Sequence, residues 1–126
     1  MKVLNPLSCL LLFTLISVFS CTSEVESFDK ELLYGHWDIQ SAQRDGHPTE
    51  TLMSTFFEFD KEGKMLTNFN IDGNEISEKY EIQGQDIIQK GNPEVAFSVE
   101  KLEKEKLILL TKLMNYEFTL TLKKRN

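Results

Sequence analysis

The chain reads as an all-β protein, a small eight-stranded antiparallel up-and-down barrel with a leader and one short helical segment in front of it. Three observations carry that reading. From Gly35 onward, β-branched and aromatic residues alternate with polar ones. Turn-forming residues recur about every 8 to 12 positions. The apolar phase also persists from one strand to the next, so the whole sheet has one greasy face and one wet face. Such a sheet must bury the greasy face. Consecutive hairpins do so by curling closed, which also removes unpaired edges. A two-sheet sandwich satisfies the same alternation and remains the alternative.

Taken in order, Ser27 to Tyr34 is the one helical candidate. Ser27 is placed to cap it, and Phe28, Leu32 and Leu33 share a side, which suits a lid or plug. The first strand spans His36 to Arg44 and ends at Asp45-Gly46-His47-Pro48, a strong turn signal. A looser stretch from Thr49 to Met53 leads into Thr55 to Asp60, and Lys61-Glu62-Gly63-Lys64 turns the chain into Met65 to Ile71. Asp72-Gly73-Asn74 reads as a tight hairpin turn, because Gly and Asn tolerate positive φ. Glu75 to Gln83 follows, broken by Gly84 before Asp86 to Gln89. Lys90-Gly91-Asn92-Pro93 loops into Val95 to Leu102, and Glu103-Lys104-Glu105 turns into Lys106 to Leu113. The last strand is Tyr116 to Lys123. Alternation turns Trp37, Ile39, Phe57, Phe59, Met65, Thr67 and Phe69 inward, then Ile76, Tyr80, Ile82, Val95, Phe97 and Val99, then Leu107, Leu109, Tyr116, Phe118, Leu120 and Leu122.

Composition narrows the function classes. The 126 residues carry 14 Lys plus Arg against 20 Asp plus Glu, a formal charge of −6. One domain fits that length, and an acidic balance offers no electrostatic footprint for nucleic acid. Two cysteines and two histidines make neither a disulfide framework nor a four-ligand zinc site without added carboxylates. His36 lies on the outward phase and His47 in a turn, so both read as solvated. Asp60, Glu62, Asp72 and Asn74 belong to turns and lack the spacing of a calcium loop. Neither a phosphate-cradling glycine loop nor a nucleophile elbow is present. No catalytic residue, metal or cofactor is therefore assigned, and the chain is expected not to be an enzyme.

The amino terminus sets the expected compartment. Lys2 precedes an uncharged, mostly apolar run from Val3 to Ser20, near the lower length limit of about 18 residues for spanning a bilayer. The segment Leu15-Ile16-Ser17-Val18-Phe19-Ser20-Cys21 ends this run with a small residue followed by cysteine, and it resembles the lipobox of bacterial lipoprotein signal peptides. That resemblance implies a signal peptide at 1–20, removed before Cys21, whose thiol is acylated. Residues 21–31 then form a lipidated tether, and 32–126 the barrel domain. The expected partner is a membrane reached through the lipid on Cys21, and the expected place is the cell envelope, at the outer membrane. Acyl chains supply about 0.8 kcal/mol per buried methylene, so the barrel itself needs no membrane-binding patch.

A second resemblance begins at Leu32-Leu33-Tyr34-Gly35-His36-Trp37-Asp38-Ile39, which is similar to the Gly-x-Trp opening of lipocalins. With the lipobox and the short chain, the sequence looks like the lipocalin-like lipoproteins of Bacteroidetes-type bacteria. Phe57-Glu58-Phe59-Asp60-Lys61-Glu62-Gly63, Tyr80-Glu81-Ile82-Gln83-Gly84 and Leu107-Ile108-Leu109-Leu110 continue the likeness. In that family a basic residue of the last strand covers the tryptophan, a cation–π contact of about 0.5 to 2 kcal/mol. Here this points to Lys124 over Trp37, with Arg125 one register step away, and Gly35 as the tight entry to the barrel.

Two functions follow as expectations. One is a binding barrel holding a small hydrophobic ligand at its open end, lined by Phe57, Phe69, Tyr80, Phe97 and Phe118. The other is an interaction or assembly lipoprotein whose barrel is filled and which contacts another envelope protein. Glu78 is the outlier, since alternation puts this carboxylate on the apolar face. Either it sits near the rim or at a bulge, or it anchors a ligand within the pocket together with Thr67 or Tyr80.

Overall fold

The computed structural model describes residues 27–126. The signal peptide at 1–20, the lipidation site Cys21 and the first part of the tether lie outside the described residues. After a short helix α1 (Lys30–Leu33) come strands β1 (Gly35–Arg44), β2 (His47–Thr49), β3 (Phe56–Phe59), β4 (Lys64–Thr67) and β5 (Ile76–Gln83). The series ends with β6 (Asp86–Gln89), β7 (Val95–Leu102), β8 (Lys106–Leu113) and β9 (Tyr116–Lys124). All neighbours are antiparallel, in the order β2-β1-β3-β4-β5-β6-β7-β8-β9, and β1 also pairs with β9. That pairing closes every strand except β2 into an eight-stranded barrel. Strand β1 is the seam. Its first half pairs with β3, from Gly35↔Phe59 to Asp38↔Phe56, and its second half pairs with β2. Its other edge meets β9 from Trp37↔Lys124 to Arg44↔Phe118, with a bulge between Ile39 and Ser41.

The inward face is continuous. Trp37, Phe57, Phe97, Leu107, Leu109, Leu120 and Leu122 are fully buried. The aromatic rings meet edge to face: Phe57 on Phe97 at 5.3 Å, Phe69 on Phe118 at 5.4 Å, and Phe59 on Tyr80 at 5.3 Å. Such pairs contribute roughly 0.5–1.5 kcal/mol beyond their burial. Thr67 and Thr111 also point inward, and each donates its hydroxyl to a carbonyl of the neighbouring chain segment, Phe56 at 2.7 Å and Ala96 at 2.7 Å. Their polarity is thereby satisfied.

One end is sealed. The cap of α1 is Asp29 rather than Ser27, because the Asp29 carboxylate accepts from the Glu31 backbone N–H at 3.0 Å. Leu33 is fully buried and Phe28 packs against the core. The Trp37 indole N–H donates to the Leu33 carbonyl at 2.8 Å. Lys124 Nζ lies 4.9 Å from the Trp37 ring centroid and donates to the Leu32 carbonyl at 2.9 Å. Burial pushes the Lys124 pKa down. Gly35 has φ +129°, and a Cβ there would stand 3.0 Å from Lys124 Cε, so glycine both permits the backbone angle and makes room for the lysine. Arg125 points elsewhere, gripping Asp38 with two hydrogen bonds of 2.9 Å. Burial raises the Asp38 pKa, but the hydrogen bonds from Arg125 and His36 outweigh it and hold the carboxyl below its usual value.

The elements depart from the sequence expectation in several places, α1 being confined to Lys30–Leu33 and β3 to Phe56–Phe59. The first turn is only Asp45-Gly46, with φ 52° and 82°, so His47 and Pro48 continue as strand β2. Proline is tolerated there because β2 is a sheet edge. Strand β4 stops at Thr67, and the segment to Ile76 is an irregular loop instead of a tight hairpin. The Asn70 carboxamide oxygen accepts from Asp72 N at 3.1 Å and Gly73 N at 2.8 Å, which binds the backbone to side chains in place of a ladder. Strand β9 reaches Lys124, one residue beyond the expected end. Tyr116 is exposed despite its inward phase, because its position is the last rung of the β8–β9 hairpin and its ring stacks under Arg44 at 4.9 Å.

The β8–β9 turn offers a test of its own. Met114 and Asn115 both have positive φ, 55° and 71°, as a two-residue turn of this hand requires. Methionine bears a cost in that conformation. Met114→Asn is expected to raise the unfolding free energy by about 0.5–1 kcal/mol, measured by urea denaturation.

Candidate functional site

Strand direction assigns the two ends of the barrel. The amino end of β1 and the carboxyl end of β9 lie together with α1 at the sealed end. The opposite end carries the Asp45-Gly46 turn, the loop between β4 and β5, the loop between β6 and β7, and the Met114-Asn115 turn. A cavity of about 210 Å³ opens there. Its apolar wall comes from Phe69, Ile71, Ile76, Pro93, Val95 and Leu113, and its polar groups come from Asn70, Asp72, Glu78, Gln89 and Asn92. An apolar cavity of about 150 Å³ accommodates benzene, so this one has room for a ring or a short chain, below the roughly 300–1,000 Å³ of drug-sized sites.

Of the residues expected to line a ligand, Phe69 and Glu78 border this cavity. Phe57, Tyr80, Phe97 and Phe118 do not. Phe57 and Phe97 are fully buried against each other and Phe69, and Phe118 packs edge to face on Phe69. These rings are the floor beneath the cavity. Tyr80 lies toward the sealed end, where its hydroxyl donates to the Asp60 carbonyl at 2.6 Å. Its pKa is pushed up to about 12, first by burial and then by nearby Tyr34, Asp60 and Glu62. Gly35, Trp37 and Lys124 come together as described, at the end away from the cavity.

Glu78 sits at the rim. The register of β4 with β5 is unbroken, Lys64↔Lys79 followed by Met65↔Glu78, so no bulge displaces it. It is half-buried on the inward phase. A Cβ on Gly91, whose φ is +147°, would lie 2.8 Å from Glu78 Oε2, so a side chain there would push the carboxylate from its present place. Thr67 and Tyr80 are not its partners, since their hydroxyls go to Phe56 and Asp60. The sequence reading missed Gln89, which is 3% exposed, lines the cavity and leaves its Oε1 buried with no hydrogen-bond partner. Gln89 shares the inward phase of Ile87, but the equally apolar Ile88 beside it leaves that phase unreadable in the sequence.

Outside the barrel, the His36 ring nitrogens lie 3.1 Å from the carboxylate oxygens of Glu58 and Asp38, which accept from the imidazole N–H, while the ring stacks on Phe56. The arrangement is a surface network on β1 and β3. Among the described residues no group of three or more His, Cys, Asp or Glu is disposed to hold a metal ion, and no helix is long and apolar enough to cross a membrane.

A lipocalin-like protein from Bacteroides uniformis superposes with a TM-score of 0.56, covering 75% of this chain and 99% of that one at 19% sequence identity. The fold is that of a lipocalin-like barrel. An uncharacterized protein from Bacteroides eggerthii superposes with a TM-score of 0.52 over 73% of this chain and 98% of its own, at 20% identity. No protein-family model matches the chain, and no curated protein matches it either.

Proposed function

We propose that this is a lipid-anchored lipoprotein of the cell envelope, held at the outer membrane through Cys21, whose lipocalin-like barrel binds a small hydrophobic ligand at its open end. The observation that carries the reading is the apolar cavity of about 210 Å³ facing solvent at the unsealed end. The lipobox-like Leu15 to Cys21 segment supports the anchor. Nothing in the site combines a nucleophile, a base and an orienting group, so the reading is binding and not catalysis.

Toluene tests the site. It is expected to bind the folded protein and shift the NMR methyl signals of Ile76, Val95 and Leu113. Leu113→Trp, which fills the cavity from its wall, is expected to abolish those shifts while changing stability by about 1 kcal/mol or less. Toluene binding that survives the tryptophan would place the ligand elsewhere. Mass spectrometry of the full-length protein from its own host checks the anchor, through an acylated Cys21 at the start of the mature chain.

A specific observation favours a second reading, an assembly lipoprotein that contacts another envelope protein. The large apolar residues Met53, Ile71, Met114 and Tyr116 are exposed, and the last three lie at the open end. That reading expects no small molecule to bind and a protein partner to protect these four residues instead.

A further inference from the structure

The chemistry of the cavity's polar groups points to the head group of the ligand, and this inference rests on the ligand reading above. Two carboxylates, Asp72 and Glu78, stand among the residues that form the cavity, and no Lys, Arg or His does. Asp72 is engaged, accepting from the Asn74 backbone N–H at 3.0 Å. Glu78 is free: among the described residues its carboxylate makes neither a hydrogen bond nor an ion pair. Glu78 also borders a second, shallow groove, lined by Lys64, Lys79 and Lys90. Of these, Lys90 is held by Glu94 at 3.1 Å and Glu81 at 3.5 Å.

Gln89 supplies the independent observation. A buried polar atom without a partner costs about 1–3 kcal/mol, and such an atom in a cavity wall is satisfied once a donor enters. Its amide can turn to present either end, so Gln89 alone does not choose between donor and acceptor. The unpaired Glu78 carboxylate does choose. An incoming carboxylate would meet like charge in a cavity whose lining holds no Lys, Arg or His to offset it, whereas an ammonium supplies N–H donors and positive charge together.

We propose that the cavity takes a small amphiphile led by a protonated amine, with the ammonium between Glu78 and Gln89 and the hydrocarbon against Phe69, Ile76, Val95 and Leu113. Gly91 is part of the site because, lacking a Cβ, it leaves the Glu78 carboxylate room beside the β6–β7 loop. The reading thus separates this barrel from a carrier of fatty-acid anions.

The test is an NMR titration of the folded protein with hexylamine, hexan-1-ol and hexanoate at neutral pH, compared with Glu78→Gln and with Glu105→Gln, an exposed acid at the sealed end. Hexylamine is expected to bind at least about tenfold tighter than hexanoate, shifting the Gln89 side-chain amide. Glu78→Gln is expected to erase that preference while leaving hexan-1-ol binding unchanged, and Glu105→Gln is expected to leave the preference intact. Hexanoate binding as tight as hexylamine would overturn the head-group assignment while toluene and hexan-1-ol still bound, leaving the ligand reading standing. An equal loss of preference in Glu105→Gln would overturn it too, since the attraction would then belong to the overall negative charge. Failure of all three compounds and of toluene would bring down the ligand reading and this inference together.

Discussion

Phe57→Ala is expected to lower the unfolding free energy by about 3–5 kcal/mol. The ring of Phe57 touches three others, Phe59 at 6.0 Å, Phe69 at 6.0 Å and Phe97 at 5.3 Å, and it is fully buried. Its removal leaves a hole that β3 cannot collapse into, because the strand is hydrogen-bonded to both β1 and β4. Domains of this size have roughly 5–15 kcal/mol to lose, so the variant is expected near the edge of folding at 25 °C. Trp37 is the only tryptophan in the chain and is fully buried, which makes its fluorescence the natural probe for urea unfolding. A loss below about 1 kcal/mol would mean that these rings do not form one packed floor.

Trp37→Ala is expected to cost a similar amount, about 3–5 kcal/mol, with a different signature. The indole is both a plate across the sealed end and a donor to Leu33, and its face carries Lys124. Its loss should free α1 and its flanks, so proteolysis near Phe28 to Tyr34 is expected to accelerate more than global unfolding does, with circular dichroism replacing the lost fluorescence. Trp37→Phe separates the two roles. It keeps a ring under Lys124 but strands the Leu33 carbonyl, a cost of about 1–3 kcal/mol. Protection of α1 equal to wild type in Trp37→Ala would show that the helix is held without the indole.

Both variants concern the parts of the fold that were readable from residue order. Period-two alternation placed Trp37, Phe57 and Phe97 on one face, and one continuous greasy face in consecutive hairpins leaves few ways to close. What alternation could not show are interruptions of its own period. The bulge after Ile39 brings Ala42 inward, and nothing in Gln40-Ser41 announces it. The Asn68 to Asn74 loop takes its shape from carboxamide and carboxylate hydrogen bonds that end β4 early, although Phe69 still reaches the core. Strand β2 was hidden by Pro48, a residue that signals a turn yet fits an edge.

The cavity was the least legible part, for a related reason. A list of inward aromatics does not distinguish rings that touch each other from rings that leave a gap. Here Phe57, Phe69, Phe97 and Phe118 touch, and the gap falls above them, between loops. Its walls come from Ile71 and Pro93 in those loops and from strand ends such as Ile76, Val95 and Leu113. Glu78 was visible as an anomaly because a charge breaks an apolar phase. Gln89 was not, because the adjacent Ile87 and Ile88 are both apolar and conceal which of them faces in.

The chain enters and leaves the barrel on the same side, at Gly35 and Lys124, and this sets the molecule's orientation toward whatever holds its front end. Six residue steps separate Cys21 from Ser27, a reach of at most about 22 Å, while a ten-residue strand such as β1 extends about 33 Å. A bilayer gripping Cys21 would therefore sit beneath the floor built from Trp37 and α1, and the mouth would look outward into the aqueous compartment. With the chain held there, a guest would arrive from solution and not by sliding up from the lipid.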